Sequence, residues 1–299
     1  MTARRYADFF ASAGWQVQIA AEYDGRPYDA LIAIHARRSG RSALRYARAY
    51  PDRPLVVVLS GTDLYRDLPK SALALRALAS ARTIVSLQPD AIRFVPKALR
   101  SKCVSIVQSA APPYARRPRH APEAVSFCVV GHLRREKDPL RAAYALRHIA
   151  RDLDVRVVQI GGVLDERYAV AARRIAAADA RYEFLGELSA KQALQRIASS
   201  DALVISSRME GGANVVCEAI ACGTPVLASR ISGNVGLLGK EYAGYFQLAD
   251  TRGLAALMRR YATQPSFARR LREQVRSLQP LVAPEREREA WLGLIRQVV

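Results

Sequence analysis

The chain has 299 residues, of which 50% are hydrophobic and 24% charged, so it is long enough for one large or two medium soluble domains with substantial cores. Its formal net charge of +19 favours anionic partners (nucleotides, phosphates, acidic membrane surfaces or nucleic acid), although the basic residues are spread along the chain. No apolar run approaches the roughly 20 residues that cross a bilayer, and the N-terminus lacks a signal-peptide pattern, which predicts a cytoplasmic protein without stable membrane insertion.

The chain opens in a predicted helix, TARRYADFFASAGW, followed by a predicted strand VQIAA over 17–21. A doubly wound domain usually opens instead with a strand and a glycine-rich turn. We therefore expect the first N-terminal strand to be missing, either from the sequence as given or because the start codon lies upstream. A domain without that strand would expose the edges of its neighbours.

Short β-branched runs then alternate with amphipathic helical patterns to the end of the chain. Continuous apolar strands separated by helices of about ten or more residues indicate parallel sheets covered on both faces, an α/β fold. Helical periodicity is clear over Pro139–Ile149, Glu166–Ala177 and Ala190–Ala198. Ten further strands are predicted over residues 29–35, 54–60, 82–88, 102–108, 125–131, 155–161, 182–186, 201–207, 224–229 and 245–249.

The pattern lapses at 110–124, where Pro, Arg and Ala are abundant, and this segment is the best candidate for a linker. The last segment begins with Pro284 and acids in its first turn, as helices often do, and carries an apolar stripe around Trp291. The predicted domains are an N-terminal domain over 1–115, a C-terminal domain over 116–282, and a terminal helix over 283–299 that packs back on the N-terminal domain.

A glycine pair, Gly211–Gly212, joins the predicted strand 201–207 to a predicted helix running from about Ala213 to Cys222. Ligands of open α/β sheets bind beyond the carboxyl ends of strands, and glycines let a ligand approach the backbone closely. The free N–H groups of residues 212–216 and the helix dipole would favour an anion such as a diphosphate.

Two glutamates flank this turn. Glu210 lies in the loop and Glu218 about one and a half turns into the helix. Carboxylates accept hydrogen bonds from vicinal hydroxyls, so this pair would suit a nucleotide sugar, one holding the hexose and the other the ribose. The chemistry alone is explained equally well without a ligand. One glutamate would be an acid at the helix start, favoured by the helix dipole, and the other would be a solvated surface residue.

The E-x7-E spacing, followed by EAIACGTPVLAS, resembles the donor-binding segment of retaining, nucleotide-sugar-dependent glycosyltransferases. These enzymes have the GT-B fold, two Rossmann-like domains with parallel sheets facing a central cleft. The resemblance implies that Glu210 contacts the transferred sugar and Glu218 the ribose hydroxyls. It also implies that domain 1–115 binds the acceptor and domain 116–282 the nucleotide sugar.

The segment CVVGHLRREKDPLRAA resembles the same family's strand followed by G-R-L-x-x-E-K-G, whose basic side chains grip the donor diphosphate. Arg134 or Arg135 could supply the charge that the family's arginine provides, since arginine binds phosphate oxygens bidentately. An exposed basic turn is the alternative. Gly131, Leu133, Glu136 and Lys137 match the motif, whereas His132 replaces its arginine and Asp138 its last glycine.

Polar groups also follow two predicted strands of the N-terminal half. His35 ends one strand in IHARRSG, and LSGTDLYRDL follows another, so both sets lie at the carboxyl edge of one sheet. The mixed charges could bind a small anionic acceptor, or they could be solvated loop residues. The predicted acceptor-binding residues are Arg37, Arg38, Thr62 and Arg66.

HARRS, LSGTDLYRDL and GHLRREKDPLRAA together are similar to the selenosugar synthases of selenoneine biosynthesis, a subgroup of these glycosyltransferases. This similarity implies transfer of N-acetylglucosamine from UDP-N-acetylglucosamine to the selenium of selenophosphate, giving a selenosugar, UDP and phosphate. Positioning and electrostatic stabilisation of the departing diphosphate would carry the catalysis, and a soft selenium nucleophile needs little help from a base. The predicted catalytic residues are His35, Asp63 and Glu210, and the predicted donor-binding residues are Gly131, Arg134, Lys137, Glu210, Gly211, Gly212, Ala213, Asn214, Val215 and Glu218.

No metal or cofactor is expected. The histidines are scattered, and Cys103, Cys128, Cys217 and Cys222 form no C-x-x-C pair and are expected to be small core residues. A D-x-D sequence at Asp152–Asp154 lies at the amino end of a strand, away from the expected site, and is predicted to be a surface turn. Two other functions stay open: a glycosyltransferase with another small-molecule or lipid acceptor, and a basic nucleic-acid-binding protein, which the dispersed aromatic residues disfavour.

Overall fold

A computed structural model describes residues 2–113 and 124–299. The chain divides into two compact units, the first containing Met1–Gln108, Glu210–Gly212 and Pro284–Val299, the second Ser109–Met209 and Ala213–Ala283. Most of the predicted linker and the predicted boundary at 115/116 lie outside the described residues, so those two assignments stay predictions.

The described residues form ten strands, eleven α-helices and several shorter helical turns. The strands are β1 (Leu31–Ile34), β2 (Leu55–Val58), β3 (Thr83–Ser86), β4 (Cys103–Ser105), β5 (Val125–Val130), β6 (Val155–Ile160), β7 (Tyr182–Phe184), β8 (Ala202–Ile205), β9 (Val226–Ser229) and β10 (Tyr245–Phe246). The α-helices are α1 (Thr2–Ala11), α2 (Gly40–Ala49), α3 (Ala72–Ser80), α4 (Arg141–Ala145), α5 (Glu166–Ala178), α6 (Ala190–Ser199), α7 (Asn214–Cys222), α8 (Ser232–Leu238), α9 (Thr251–Thr263), α10 (Pro265–Ser277) and α11 (Pro284–Val298).

The first unit is built on a parallel sheet with the strand order β1-β2-β3-β4. Successive residues of β2 point to opposite faces, so Val57 packs in one apolar cluster with Tyr46 of α2, whereas Val56 packs in a second with Tyr6 of α1 and Trp291 of α11. Both faces of the sheet are therefore covered, which is why the central strand β2 is apolar throughout.

The predicted strand over 17–21 is wrong. These residues form no strand, and Val17 and Ile19 are 42% and 54% exposed. The physical reason is the lack of a partner: among the described strands, β1 pairs only with β2 and nothing pairs with 17–21. A β-branched run becomes a strand only when a neighbour takes up its backbone hydrogen bonds.

The second unit contains a six-stranded parallel sheet with the order β10-β9-β8-β5-β6-β7. From β5 the chain runs outward through β6 and β7, then returns to β8 and continues in the opposite direction. The carboxyl ends of β5 and β8 therefore form a topological switch point, where α/β sheets bind their ligands.

All ten strands predicted from residue 29 onward are present, and the prediction of an α/β fold with parallel sheets is confirmed. The helix predicted over 139–149 is shorter, because α4 begins at Arg141 and gives way to a 3-10 turn at Leu146–His148. Asp152–Asp154 forms a turn before β6 with both aspartates exposed, as predicted. None of the helices in the described part of the chain combines the length and apolar composition needed to cross a bilayer.

Candidate active site

At the switch point of the second unit, β5 leads into a turn over 131–138. The Gly131 N–H donates to the carbonyl of Ile160 on β6 (2.9 Å). The aliphatic chain of Lys137 lies beside Gly131, 3.7 Å from where a Cβ would stand. The turn thus brings the predicted donor-binding lysine back over the end of β5.

The turn is held from the β8 side. The Ser206 hydroxyl donates to the carbonyl of Asp138 (2.8 Å), and the Arg208 N–H donates to the carbonyl of Glu136 (2.8 Å). Asp138 adopts a left-handed conformation (φ 45°), and its carboxylate accepts two hydrogen bonds from Arg141. Aspartate is among the few non-glycine residues that tolerate this conformation, which explains how it can replace the motif's last glycine.

Arg134 is half-buried, and its Nε is a buried donor with no hydrogen-bond partner among the described residues. His132 and Arg135 in the same turn are exposed. Buried donors without partners are rare in folded proteins, so the Arg134 Nε is available to an acceptor that the described residues do not supply. An anionic oxygen fits that requirement best.

Helix α7 presents its N-terminus at the same switch point. Its N-cap is Ala213, which offers no side-chain acceptor to the first N–H groups, and the Oδ1 of Asn214 is buried without a partner among the described residues. The helix ends at Gly223 in a left-handed cap (φ 64°). Its open amides and dipole favour an anion. Val215 is buried, and Glu218 is half-buried in the second turn.

In the first unit, His35 follows β1 with a left-handed backbone (φ 75°) and is 7% exposed. The Arg38 N–H donates to its Nδ1 (3.2 Å), and its Nε2 lies 3.1 Å from the Thr62 hydroxyl. In the neutral form of the imidazole, Nδ1 accepts this hydrogen bond, so Nε2 carries the proton and donates to the Thr62 hydroxyl.

Asp63 is fully buried beside this histidine. Its carboxylate accepts hydrogen bonds from the backbone N–H groups of Ala36 (2.8 Å), Ser60 (2.7 Å) and Leu64 (3.0 Å) and from the Ser60 hydroxyl. Burial raises its pKa against the opposing effects of His35 and these donors. The carboxylate ties the loops after β1 and β2 together, and it lies 3.8 Å from His35 Nδ1.

Asp67, which was not predicted from the sequence, connects two of the three predicted acceptor-binding arginines. The Arg66 Nε donates to its Oδ1 (3.0 Å), and Arg37 Nη1 lies 3.4 Å from the same oxygen. Burial acts to raise the pKa of Asp67, but the hydrogen bond and charge of Arg66 and the charges of Arg37 and His35 outweigh it and hold the pKa below its usual value. A π-helix over Asp63–Asp67 places both aspartates near His35. Arg38 is exposed.

The segment Glu210–Gly212 packs with the first unit. A Cβ on Gly211 would stand 2.5 Å from the Gly61 nitrogen, and one on Gly212 would stand 2.6 Å from the Cβ of Leu87. The two glycines were predicted to let a ligand approach the backbone closely. In the structure, Gly61 and Leu87 of the chain itself approach it this closely. Glu210 is 9% exposed in this segment.

Two groups of predicted residues are therefore brought together, each within one unit. The first unit gathers His35, Arg37, Thr62, Asp63 and Arg66, with Arg38 at the rim, and also contains Glu210, Gly211 and Gly212. The second unit gathers Gly131, Arg134 and Lys137 at one loop of the switch point and Ala213, Asn214, Val215 and Glu218 at the other.

A model of the family described as glycosyl transferases group 1 matches residues 114–278, more than half of the chain. The chain belongs to the group 1 glycosyltransferases. No curated protein sequence matches it. The predicted family is thereby confirmed, while the selenosugar subgroup stays a prediction.

Solved structures resemble this group 1 glycosyltransferase at low sequence identity. HepE from Anabaena in complex with UDP-glucose superposes with a TM-score of 0.72 at 15% identity, covering 90% of this chain and 79% of that one. Sucrose-phosphate synthase from Thermosynechococcus elongatus gives 0.74 at 17% identity, covering 99% and 77%. The UDP-forming α,α-trehalose-phosphate synthase from Burkholderia vietnamiensis gives 0.74 at 13% identity, covering 90% and 74%. These likenesses confirm the predicted GT-B fold.

Within the described residues, no group of three or more His, Cys, Asp or Glu side chains is arranged to hold a metal ion. Cys128, Cys217 and Cys222 are buried and Cys103 is half-buried, and none of the four is in a disulfide. Burial raises the pKa of Cys128 to about 12, so this thiol behaves as a core residue.

Proposed function

We propose that this glycosyltransferase transfers N-acetylglucosamine from UDP-N-acetylglucosamine to the selenium of selenophosphate. The observation that carries the donor half is the set of unpartnered polar groups at the switch point: the uncapped N-terminus of α7, the buried Nε of Arg134 and the buried Oδ1 of Asn214. The first two favour a diphosphate, with Lys137 adding a positive charge from the neighbouring turn.

A uridine nucleotide is the proposed leaving group. HepE was solved with UDP-glucose, the trehalose-phosphate synthase is named as UDP-forming, and the pneumococcal O-GlcNAc transferase GtfA was solved with UDP and GlcNAc. Together with the similarity of HARRS and LSGTDLYRDL to selenosugar synthases, these names support UDP-N-acetylglucosamine as the donor. Glu210 is proposed to contact the sugar and Glu218 the ribose.

The acceptor half of the proposal rests on the cluster around Asp67. Arg37 and Arg66 share this one carboxylate, and Arg38 has no ion-pair partner among the described residues, so the three arginines leave the cluster with net positive charge. Such a cluster suits a small, multiply charged anion such as selenophosphate. Asp63 is proposed to position His35, because its own carboxylate is fully buried and satisfied.

The proposed reaction forms a bond between the sugar C1 and selenium and breaks the bond between C1 and the diphosphate oxygen, whose electron pair leaves with UDP. Water then cleaves the phosphorus–selenium bond, which gives phosphate and the free selenosugar, and no atom is oxidised or reduced. The anion-binding groups of the second unit stabilise the leaving diphosphate. The carboxylate of Glu210, which is proposed to contact the sugar, stabilises the positive charge that develops there.

The decisive experiment incubates the protein with a panel of nucleotide sugars, with and without selenophosphate, and identifies the products by mass. We expect UDP, phosphate and a 1-seleno-N-acetylglucosamine only when UDP-N-acetylglucosamine and selenophosphate are both present. If a product forms with another acceptor and none forms with selenophosphate, the proposed acceptor is wrong, while the glycosyltransferase activity stands.

The acceptor cluster has its own test. An Arg37→Ala, Arg38→Ala double variant is expected to raise KM for selenophosphate at least tenfold while leaving UDP affinity within twofold of the wild type, since roughly 1.4 kcal/mol of charged hydrogen bonding corresponds to tenfold. Unchanged turnover at low selenophosphate would remove these arginines from the site. Co-sedimentation with anionic liposomes, with a glycosylated lipid as product, would favour a lipid acceptor instead.

A further inference from the structure

One buried amide in the second unit has no structural explanation in its sheet. Gln159 of β6 is 0% exposed, and its register neighbours are Val129 on β5 and Phe184 on β7. Its Nε2 and Oε1 both lack hydrogen-bond partners within the described residues. An unpaired buried amide destabilises a fold, and the surrounding residues predict an apolar side chain at this position.

A small cavity lies beside the turn that follows β5. Gln159 lines this cavity together with Gly131, Lys137, Pro139 and Ser206, and the space is about that of a single water molecule. The lining is polar enough for a water, since it offers the carboxamide and a hydroxyl.

The cavity borders the residues that hold the turn. The Ser206 hydroxyl donates to the carbonyl of Asp138 and still has lone pairs that can accept a hydrogen bond. Ser206 and the N–H of Arg208 fix the turn from the β8 side. Gln159 is the polar side chain that borders the same cavity from the β6 side.

We propose that Gln159 is a positioning residue for Lys137. Its carboxamide, linked through a water in the cavity to the Ser206 hydroxyl, keeps the 131–138 turn in the conformation that presents Lys137 to the donor diphosphate. The inference rests on the proposed function, because that function makes the diphosphate the ligand of Lys137. It explains why the chain keeps an amide where a hydrophobic side chain would be more stable.

The test uses Gln159→Met, which has a similar volume and no buried amide group. The free protein should become more thermostable, with Tm higher by about 2–4 °C, because a buried polar group without a direct protein partner has been removed. The Kd for UDP, measured by calorimetry, should rise roughly five- to tenfold, as expected for the loss of one hydrogen-bonded link. A purely structural residue would change Tm and leave Kd unchanged.

Two further variants locate the effect. Val157→Ala, a buried position two residues earlier on the same face of β6, should lower Tm and leave the UDP Kd within twofold. In a Lys137→Ala background, adding Gln159→Met should leave the UDP Kd within twofold, because the residue that it positions is gone.

Each outcome separates the two proposals. If the wild-type protein binds UDP and Gln159→Met binds it equally well, or if Gln159→Met weakens UDP binding to the same extent with and without Lys137, the inference is overturned and the proposed function stands. If the wild-type protein binds no UDP, the proposed function fails, and the inference fails with it.

Discussion

At the scale of single residues, the turn 131–138 distinguishes two neighbouring arginines that the sequence leaves equivalent. Arg134 has a buried Nε without a described partner, whereas Arg135 is exposed. A charged hydrogen bond from a preorganised, partly buried group contributes about 1.5–3 kcal/mol, and an exposed arginine contributes little.

Arg134→Ala is therefore expected to weaken UDP binding roughly ten- to a hundredfold, with the Kd measured by calorimetry. Arg135→Ala is the matched control and should stay within twofold of the wild type. Equal losses in the two variants would mean that the turn acts through its overall charge, and the assignment of Arg134 would be withdrawn.

The other residue-scale prediction concerns Asp63, whose two carboxylate oxygens both accept backbone N–H groups. Asp63→Asn must turn an amide NH2 toward one of these donors, for example the N–H of Ala36. This leaves both groups unpaired in a buried site and should cost about 1–3 kcal/mol of unfolding free energy.

Chemical denaturation measures this loss, and Asp52→Asn in an exposed turn serves as the control, expected within about 0.5 kcal/mol of the wild type. A stability of Asp63→Asn equal to that control would show that the carboxylate is not the structural tie between the two loops.

At the scale of elements, the sequence predicted the strands well because each is an apolar run bounded by polar turns, a pattern that both faces of a buried parallel sheet impose. Residues 17–21 have the same apolar pattern but form no strand, because none of the described strands pairs with them. The local sequence does not show whether such a partner is present. Sheet order is hidden for the same reason.

For the candidate site, too, local sequence patterns predict some residues, whereas others depend on contacts between distant parts of the chain. Glu210, Gly211 and Glu218 were predicted from their spacing, and their contacts with a donor stay predictions. The unpartnered Nε of Arg134 agrees with the role predicted for that arginine. Asp67 was missed because LYRDL resembles a solvated loop, and only the π-helix over Asp63–Asp67 places it among the arginines. The close packing of Gly61 on Gly211 likewise joins residues that are far apart in sequence, so no local pattern predicts it.

Helix α11 provides an element-scale prediction through its glycine. Gly293 lies inside this 15-residue helix, and a Cβ there would meet no atom within 4 Å. Gly293→Ala should therefore stabilise the protein by about 0.5–1 kcal/mol, because alanine restricts the unfolded chain and favours the helix. Denaturant titration of the variant measures the gain.

Gly161→Ala is the contrasting variant, since its Cβ would stand 2.0 Å from the carbonyl oxygen of Gly131 at a φ of 155°. That substitution should destabilise the protein, because the β5 and β6 loops must separate to admit a methyl group. A loss of stability in Gly293→Ala would mean that α11 depends on packing at that position.

At the scale of the whole molecule, the net charge of +19 predicts a general affinity for anions, which must be distinguished from binding at a specific site. Exposed charges are screened over about 8 Å at physiological ionic strength, and binding to nucleic acid falls steeply with salt because counterions are released. A half-buried guanidinium and open helix amides are screened far less, and their hydrogen bonds are directional.

We therefore expect random duplex DNA to bind at 0.05 M NaCl and to be lost at 0.5 M, while the UDP Kd changes less than about tenfold over the same range. Calorimetric titrations at the two salt concentrations measure both ligands, and Lys137→Ala should lower UDP affinity at each without altering the DNA titration. DNA binding that persists at 0.5 M NaCl, without UDP binding at either concentration, would make the basic surface the functional one. If UDP binding persists at 0.5 M NaCl and DNA binding is lost, the basic surface serves solubility and the steering of anionic ligands. The function then belongs to the switch point of the second unit.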